Sequence, residues 1–184
     1  MSCNPISSMR KMTASELISD SVRNQETQVL VINTGPVLAL VAALGDLGCL
    51  RMYRRVWVPY EVRAEVLAGG ASQFAVTEFE AARWLHCYER PLTIAPVLLN
   101  TLDRGEASVI QLALDQKIGT VCIDEAAGRR MARLHNLSVT GSLGILLRAK
   151  REGYGFSMVE AIDRMKAYGV WLSERVVAFA LKQA

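Results

Sequence analysis

The chain has 184 residues, which is the size of one domain and too short for two large ones. Hydrophobic residues make up 51% and charged residues 21%, a balance that provides a closed core and excludes global disorder. The formal net charge of +3 is a mild basic excess, which is compatible with an RNA partner without requiring one.

The cysteines Cys3, Cys49, Cys87 and Cys122 stand far apart and show no CxxC pairing. This spacing excludes a zinc-ligand pattern and predicts reduced, mostly buried thiols. Residues 1–28 contain no continuous apolar stretch, so we expect no signal peptide, and no apolar run is long enough to span a bilayer. The composition therefore predicts a soluble, cytoplasmic protein.

Residues 1–27 form a polar segment of mixed charge ahead of the predicted domain. Within it, Thr13-Ala-Ser-Glu16 is typical of a capping box and is followed by a weak apolar stripe. We expect one short extra helix here, appended to a domain over residues 28–184. The alternative is that translation starts at Met9 or Met12.

The predicted domain opens with an apolar, β-branched run over residues 28–32, which ends at Asn33. A run of this kind is typical of a strand buried on both faces of a parallel sheet. Pro36 suits the first turn of the helix that follows. Residues 56–58 form a second short strand, and the helix after it closes at Gly69.

Strands continue to alternate with helices along the rest of the chain. The third, fourth and fifth strands are predicted over residues 92–94, 120–123 and 137–139. Helices are predicted over residues 74–88, 102–116, 125–134, 142–151 and 157–169, and from residue 173 onward. Alternation with helices of about ten to fifteen residues predicts right-handed crossovers. The expected fold is a three-layer α/β/α domain with a five-stranded parallel sheet.

Oxygen-bearing side chains stand close to the ends of the predicted strands. Asn33 follows the first strand, and Asp124 follows the fourth, with Glu125 beside it. Glu106 lies in the first turn of the helix before the fourth strand, and Glu65 lies on the helix after the second. Ligands bind outside the carboxyl ends of parallel strands, so these side chains are expected to converge there. Carboxylates and waters are the ligands that Mg²⁺ or Mn²⁺ prefer, and such metals promote phosphodiester hydrolysis.

Four segments together resemble the motifs of the PIN-domain ribonucleases. They are Val31-Ile-Asn33-Thr-Gly-Pro, Val58-Pro-Tyr-Glu-Val-Arg-Ala-Glu65, Asp103-Arg-Gly-Glu106 and Cys122-Ile-Asp124-Glu. The resemblance covers roughly residues 29–147 and extends into the closing helix. Their order and spacing carry it, since no single motif is specific. The sequence is most similar to a prokaryotic subgroup related to the toxin ribonucleases of toxin–antitoxin pairs.

This resemblance implies an endoribonuclease that hydrolyses single-stranded RNA with Mg²⁺ or Mn²⁺ and is often a homodimer. As the toxin of such a pair, it would have an antitoxin protein as a partner. The resemblance carries the acidic quartet onto Asn33, Glu65, Glu106 and Asp124. Glu106 and Asp124 would be the principal metal ligands. Glu65 would be a second-metal or water-positioning carboxylate, and Asn33 a neutral ligand.

Asn33 departs from the family pattern, because most PIN nucleases have Asp at this position. An amide oxygen can ligate a cation, yet it supplies no negative charge. We therefore expect weaker metal binding and weakened activity. The rival function is a catalytically silent PIN-like scaffold that binds RNA or a protein partner.

Each member of the quartet also has an ordinary structural alternative. Asp124 could have no role beyond capping the helix that begins at Glu125, and Glu106 could be merely the N3 partner of a cap formed by Asp103. Glu65 could be a solvated helix residue, with Glu61 as its competitor, and Asn33 could be a turn former.

Basic and aromatic residues outside the quartet complete the set of candidates. Arg129, Arg130 and Arg133 follow the fourth strand and are possible RNA phosphate contacts, with a solvated basic face as the stronger alternative. We interpret Trp84 and Trp171 as packing residues.

Overall fold

The computed structural model describes residues 29–69 and 73–183. Its strands are β1 (Val29–Ile32), β2 (Arg55–Val58), β3 (His86–Cys87), β4 (Thr120–Cys122) and β5 (Ser138–Thr140). Its helices are α1 (Thr34–Leu44), a 3-10 helix (Gly48–Met52), α2 (Tyr60–Ala68), α3 (Val76–Ala81), α4 (Pro96–Leu99), α5 (Arg104–Asp115), α6 (Ala126–Leu134), α7 (Ser142–Arg151), α8 (Met158–Ala167) and α9 (Glu174–Gln183). The helix predicted within residues 1–27 lies outside the described residues.

The five strands form one all-parallel sheet in the order β3-β2-β1-β4-β5. The central strand β1 buries Leu30, Val31 and Ile32 completely, because helices cover both faces of the sheet. Helix α1 packs against α8 and α7, whereas α5 packs against α2 and α6. The predicted three-layer α/β/α fold with a five-stranded parallel sheet is confirmed.

The prediction of the third strand was wrong. Residues 92–94 form no strand, because the N–H of Leu92 donates to the side-chain Oε1 of Glu61 at 2.9 Å and not to a neighbouring strand. The edge strand is β3, and Cys87 pairs there with Val58. The helix predicted over residues 74–88 is correspondingly short. A two-residue strand carries too little sequence for its periodicity to be detected.

The interpretation of Trp171 as a packing residue was also wrong, because the structure leaves 85% of it exposed. It lies in the connection between α8 and α9, where neighbouring elements leave it uncovered. Trp84 is half-buried, and the guanidinium of Arg51 lies 4.9 Å from its ring centre. None of the helices in the described part of the chain has the length and apolar composition that a membrane span requires.

Helices α1, α2, α6 and α7 follow β1, β2, β4 and β5 with one to three residues between, at the carboxyl edge of the sheet. Helix α5 runs back toward the start of β4, so its first turn lies at the same edge. The N-termini of five helices in the described part of the chain therefore surround this edge, and their N–H groups and dipoles favour negative charge there.

Candidate metal centre

Asn33 stands at the junction of β1 and α1, where it is buried with 4% of its surface exposed. Its backbone N–H donates to the carbonyl oxygen of Cys122 at 3.0 Å and fixes the residue against β4. Its side-chain Nδ2 makes a long hydrogen bond of 3.5 Å to Oε2 of Glu125. Among the described residues, nothing donates a hydrogen bond to Oδ1. A buried oxygen without a donor costs about 1–3 kcal/mol, so this atom is a candidate cation ligand.

Gly105, in the first turn of α5, marks a small space that three side-chain oxygens surround. A Cβ atom built on it would lie 3.1 Å from Oε2 of Glu65 and 3.3 Å from Oδ1 of both Asn33 and Asp103. These oxygens belong to α2, the end of β1 and the N-cap of α5. The missing side chain of this glycine therefore lets three separate elements bring oxygens to one place.

Glu65 is exposed on α2 and directs one carboxylate oxygen toward α1. Its Oε2 accepts a hydrogen bond of 2.7 Å from the hydroxyl of Thr34, the first residue of α1. Thr34 was not among the predicted site residues. Its position directly after Asn33, at the end of a central strand, was the available signal.

Glu106 lies in the first turn of α5 and is buried, with 4% of its surface exposed. Its backbone N–H donates to Oδ1 of Asp103 at 2.8 Å, so the capping role considered for it is present. Its Oε1 accepts the N–H of Gly128 on α6 at 3.2 Å. Burial raises the pKa of the Glu106 carboxyl, and the negative charges of Asp103 and Glu125 raise it further. The carboxylates of Asp103, Glu106 and Glu125 thus repel one another, and a bound cation would reduce that repulsion. We call the region that holds them, together with Asn33 and Glu65, the cleft.

Asp124 follows β4 and accepts a hydrogen bond of 2.8 Å on Oδ1 from the N–H of Ser142. Because Ser142 is the first residue of α7, Asp124 stabilises that helix and not α6, whose N-cap is Glu125. The residue is exposed, yet protein atoms enclose its carboxylate enough to raise its pKa by desolvation. Ser142 and the guanidinium of Arg129 act in the opposite direction and lower that pKa.

The three arginines of α6 differ in how the fold uses them. Nη1 of Arg129 donates to the carbonyl oxygens of Ile123 at 2.8 Å and Thr140 at 3.0 Å, which ties the ends of β4 and β5 together. Nη1 of Arg133 makes a long hydrogen bond of 3.5 Å to the carbonyl oxygen of Arg129. Arg130 is exposed. The described contacts thus give Arg129 a structural role.

The structure brings two members of the quartet, Asn33 and Glu65, to one small space beside Gly105, and Glu106 lies near enough to feel the charges of Asp103 and Glu125. The fourth member, Asp124, bonds to α7 on the β5 side of the same edge. Two further carboxylates, those of Asp103 and Glu125, belong to the cleft. Sequence reasoning had seen Asp103 only as a possible cap and Glu125 only as a neighbour of Asp124.

Within the described ranges, no three His, Cys, Asp or Glu side chains are already arranged to hold a metal ion. Each carboxylate of the cleft instead accepts a hydrogen bond from the protein, as described above for Glu65, Asp103, Glu106 and Glu125. The donor chemistry nevertheless fits Mg²⁺ or Mn²⁺, because the atoms are hard oxygens and Oδ1 of Asn33 has no competing donor. A cation would draw the carboxylates away from their present donors.

Comparison with known proteins supplies the family. A family model described as a PIN domain matches residues 29–184, which is most of the chain and the whole described structure. A search of curated proteins finds no match. PIN domains have a nuclease-type fold and generally depend on divalent metals. The chain belongs to the PIN-domain family.

Proposed function

We propose that the protein is an endoribonuclease that hydrolyses single-stranded RNA with Mg²⁺ or Mn²⁺. The observation that carries this proposal is Oδ1 of Asn33, which is buried, has no hydrogen-bond donor among the described residues, and shares a small space with Oε2 of Glu65 and Oδ1 of Asp103. Of these three oxygens Oδ1 of Asn33 is the one without a donor, and oxygens that converge in this way are the ligands that a hard cation prefers.

The proposed ligands are Glu106 and Asp124, with Asn33 as a neutral ligand and Glu65 as the carboxylate that positions water. Glu125 adds the negative charge that Asn33 lacks, since its Oε2 lies 3.5 Å from the Asn33 amide. Asp124 would accept the N–H of Ser142 at the start of α7 and also bind the metal. A bound Mg²⁺ or Mn²⁺ would polarise the phosphate and activate the attacking water.

The charge of the cleft supports the same proposal. Two like charges about 4 Å apart repel by roughly 4 kcal/mol at an effective dielectric of 20, before solvation is counted. The negative charges of Asp103 and Glu125 already raise the pKa of Glu106, so the folded protein holds these carboxylates against their repulsion. Carboxylates crowded in this way are typical of functional sites. A divalent cation bound among them would offset their mutual repulsion.

Cleavage of a labelled single-stranded RNA tests the proposal. We expect cleavage with Mn²⁺, loss of cleavage in EDTA, and loss of most cleavage in Glu106→Gln and Asp124→Asn. Glu80→Gln, which changes an exposed carboxylate on α3, is the control and should cleave normally. A protein that neither binds Mn²⁺ at millimolar concentration nor cleaves RNA would be the silent scaffold. Cleavage that survives EDTA would contradict the metal mechanism.

We also propose a cytoplasmic toxin of a toxin–antitoxin pair, with an antitoxin partner and a homodimeric state. The support is the family membership, together with Cys49, Cys87 and Cys122, which are free thiols. Growth arrest on expression, relieved by the product of a small neighbouring gene, tests the toxin role. The molar mass in solution tests the dimer.

A further inference from the structure

We propose that a cleft beside Gly105 binds the nucleotide next to the cleaved phosphate of a single-stranded RNA. Arg104 would contact a phosphate, and Tyr60 would stack against the base. This inference rests on the proposed ribonuclease function and assigns a substrate subsite to the same centre.

The cleft has a volume of about 280 Å³ and adjoins the acidic centre directly, because Glu65 and Gly105 line both. Its walls come from the first two turns of α2, the first turn of α5 and Pro91. This volume is just below the range of about 300–1,000 Å³ for pockets that bind small molecules, and it suits one unit of a chain-like ligand. A strand whose phosphate reaches the carboxylates would place an adjacent nucleotide here.

Arg104 supplies positive charge where an RNA strand would otherwise meet mainly carboxylates. It is the first residue of α5, between Asp103 and Gly105, and its side chain is exposed at the cleft. Within residues 29–69 and 73–183, its guanidinium makes no hydrogen bond, ion pair or ring contact. A guanidinium in this state is free to hold a phosphate through two parallel hydrogen bonds.

Tyr60 gives the cleft an aromatic wall. It is the first residue of α2 and is half-buried, so α2 holds the ring while one part of it lines the cleft. Aromatic rings bind unpaired bases with little sequence preference, because every base has a face that can stack. A ring in this place therefore favours a single strand, whose bases are available, over a duplex.

Among the arginines of α6, Arg129 is less suited than Arg104 to contact the same strand. Nη1 of Arg129 is engaged with two backbone carbonyls, and the side chain lies beside Asp124 on the β5 side of the edge. Arg104, by contrast, has a guanidinium without a described partner, and it lines the same cleft as Glu65.

Fluorescence anisotropy of a labelled single-stranded RNA, measured over a range of salt concentrations on the full chain carrying Glu106→Gln, tests the subsite. Arg104→Gln should weaken binding about tenfold and reduce the slope of log affinity against log salt by about 0.7, the value for one single-strand phosphate contact. Tyr60→Leu should weaken binding about tenfold without changing the slope, whereas Tyr60→Phe should bind normally. Arg83→Gln, an exposed arginine outside the cleft, is the control. Arg130→Gln tests the α6 surface.

A salt slope unchanged by Arg104→Gln overturns the subsite, as does a larger effect of Arg130→Gln. Equal binding of duplex and single strand, or no RNA binding at low salt, also overturns it. Failure of the ribonuclease proposal is seen separately, as the absence of Mn²⁺-dependent cleavage by the unmodified protein. Binding that still depends on Arg104 and Tyr60 in that case would establish the subsite in an RNA-binding scaffold.

Discussion

The carboxyl edge of the sheet has two sides that differ in how their charged side chains are paired. On the side of β1, Oδ1 of Asn33 is buried without a donor among the described residues, and carboxylates crowd around it. On the side of β5, Asp124 receives the N–H of Ser142, and Arg129 joins the carbonyl ends of β4 and β5. Polar groups that satisfy each other stabilise a fold, whereas buried ones left unsatisfied need a functional explanation. The comparison therefore places the crowded carboxylates on the β1 side, whereas on the β5 side Asp124 is paired and Oγ of Ser142 is buried without a partner among the described residues.

Gly105→Ala should produce the largest effect, because its Cβ would occupy the space among the three oxygens. We expect about a tenfold or greater loss of Mn²⁺ affinity, where tenfold corresponds to roughly 1.4 kcal/mol. The melting temperature should hold, since alanine favours a helix. Gly155→Ala is the matched control, because a Cβ there meets nothing within 4 Å. If calorimetry gives Gly105→Ala and the unmodified protein the same Mn²⁺ affinity, the space beside Gly105 is not part of the metal site.

Asn33→Asp should strengthen Mn²⁺ binding about tenfold, which corresponds to roughly 1.4 kcal/mol of the added Coulomb attraction. In EDTA the same change should lower the melting temperature, because the new carboxylate would face Glu125 in place of a donor.

The double variant Asn33→Asp with Glu125→Gln gives the control for this pair. It should recover most of the lost melting temperature, because the glutamine amide can donate to the new carboxylate. If Asn33→Asp lowers the melting temperature equally with and without Glu125→Gln, the two side chains do not interact. If Glu125→Gln alone leaves Mn²⁺ affinity unchanged, Glu125 supplies no charge to the metal.

Asp124→Ala should destabilise the protein by about 1–2 kcal/mol, because it removes the acceptor of an N-terminal N–H of α7. For a chain of this size, that lowers the melting temperature by roughly 2–8 °C. Asp124→Asn keeps an acceptor oxygen and should lose much less. Calorimetry of both variants in EDTA separates the cap from any metal role. If both variants melt at the temperature of the unmodified protein, the hydrogen bond from Ser142 contributes nothing to stability.

Glu106→Gln should change stability in the opposite direction from Asp124→Ala. The folded-state pKa of Glu106 is raised, so the folded protein binds more protons than the unfolded chain at mildly acidic pH. Its stability in EDTA therefore falls as pH rises from the unfolded pKa through the folded pKa. The variant should lose this part of the pH dependence and melt on the order of 2 °C higher at neutral pH. A steeper pH dependence in the variant would contradict this cause.

Trp171→Ala should have the smallest effect, below about 0.5 kcal/mol, because the indole is 85% exposed. Urea denaturation measures the difference. A loss of several kcal/mol would mean that the side chain is covered in solution, and Trp171→Phe would then show how much of the contact is aromatic.

The sequence was sufficient for the fold class because its strands are apolar runs bounded by turn residues. Residues 28–32 and 120–123 predicted β1 and β4 to within a residue at either end. The cleft was harder to predict, because Asp124 and Glu125 are adjacent in sequence and differ only in the direction of their side chains. That direction depends on the N–H of Ser142, which sequence spacing does not reveal. Arg104 carried no signal, since an arginine at the start of a helix is ordinary.

The sheet has very short outer strands, with two residues in β3 and three in β5. An outer strand of this length presents few unpaired N–H and C=O groups to another chain. The fold therefore offers little template for strand addition, and concentrated solutions should resist growth into cross-β fibres. Self-association would then proceed through side chains and not through extension of the sheet.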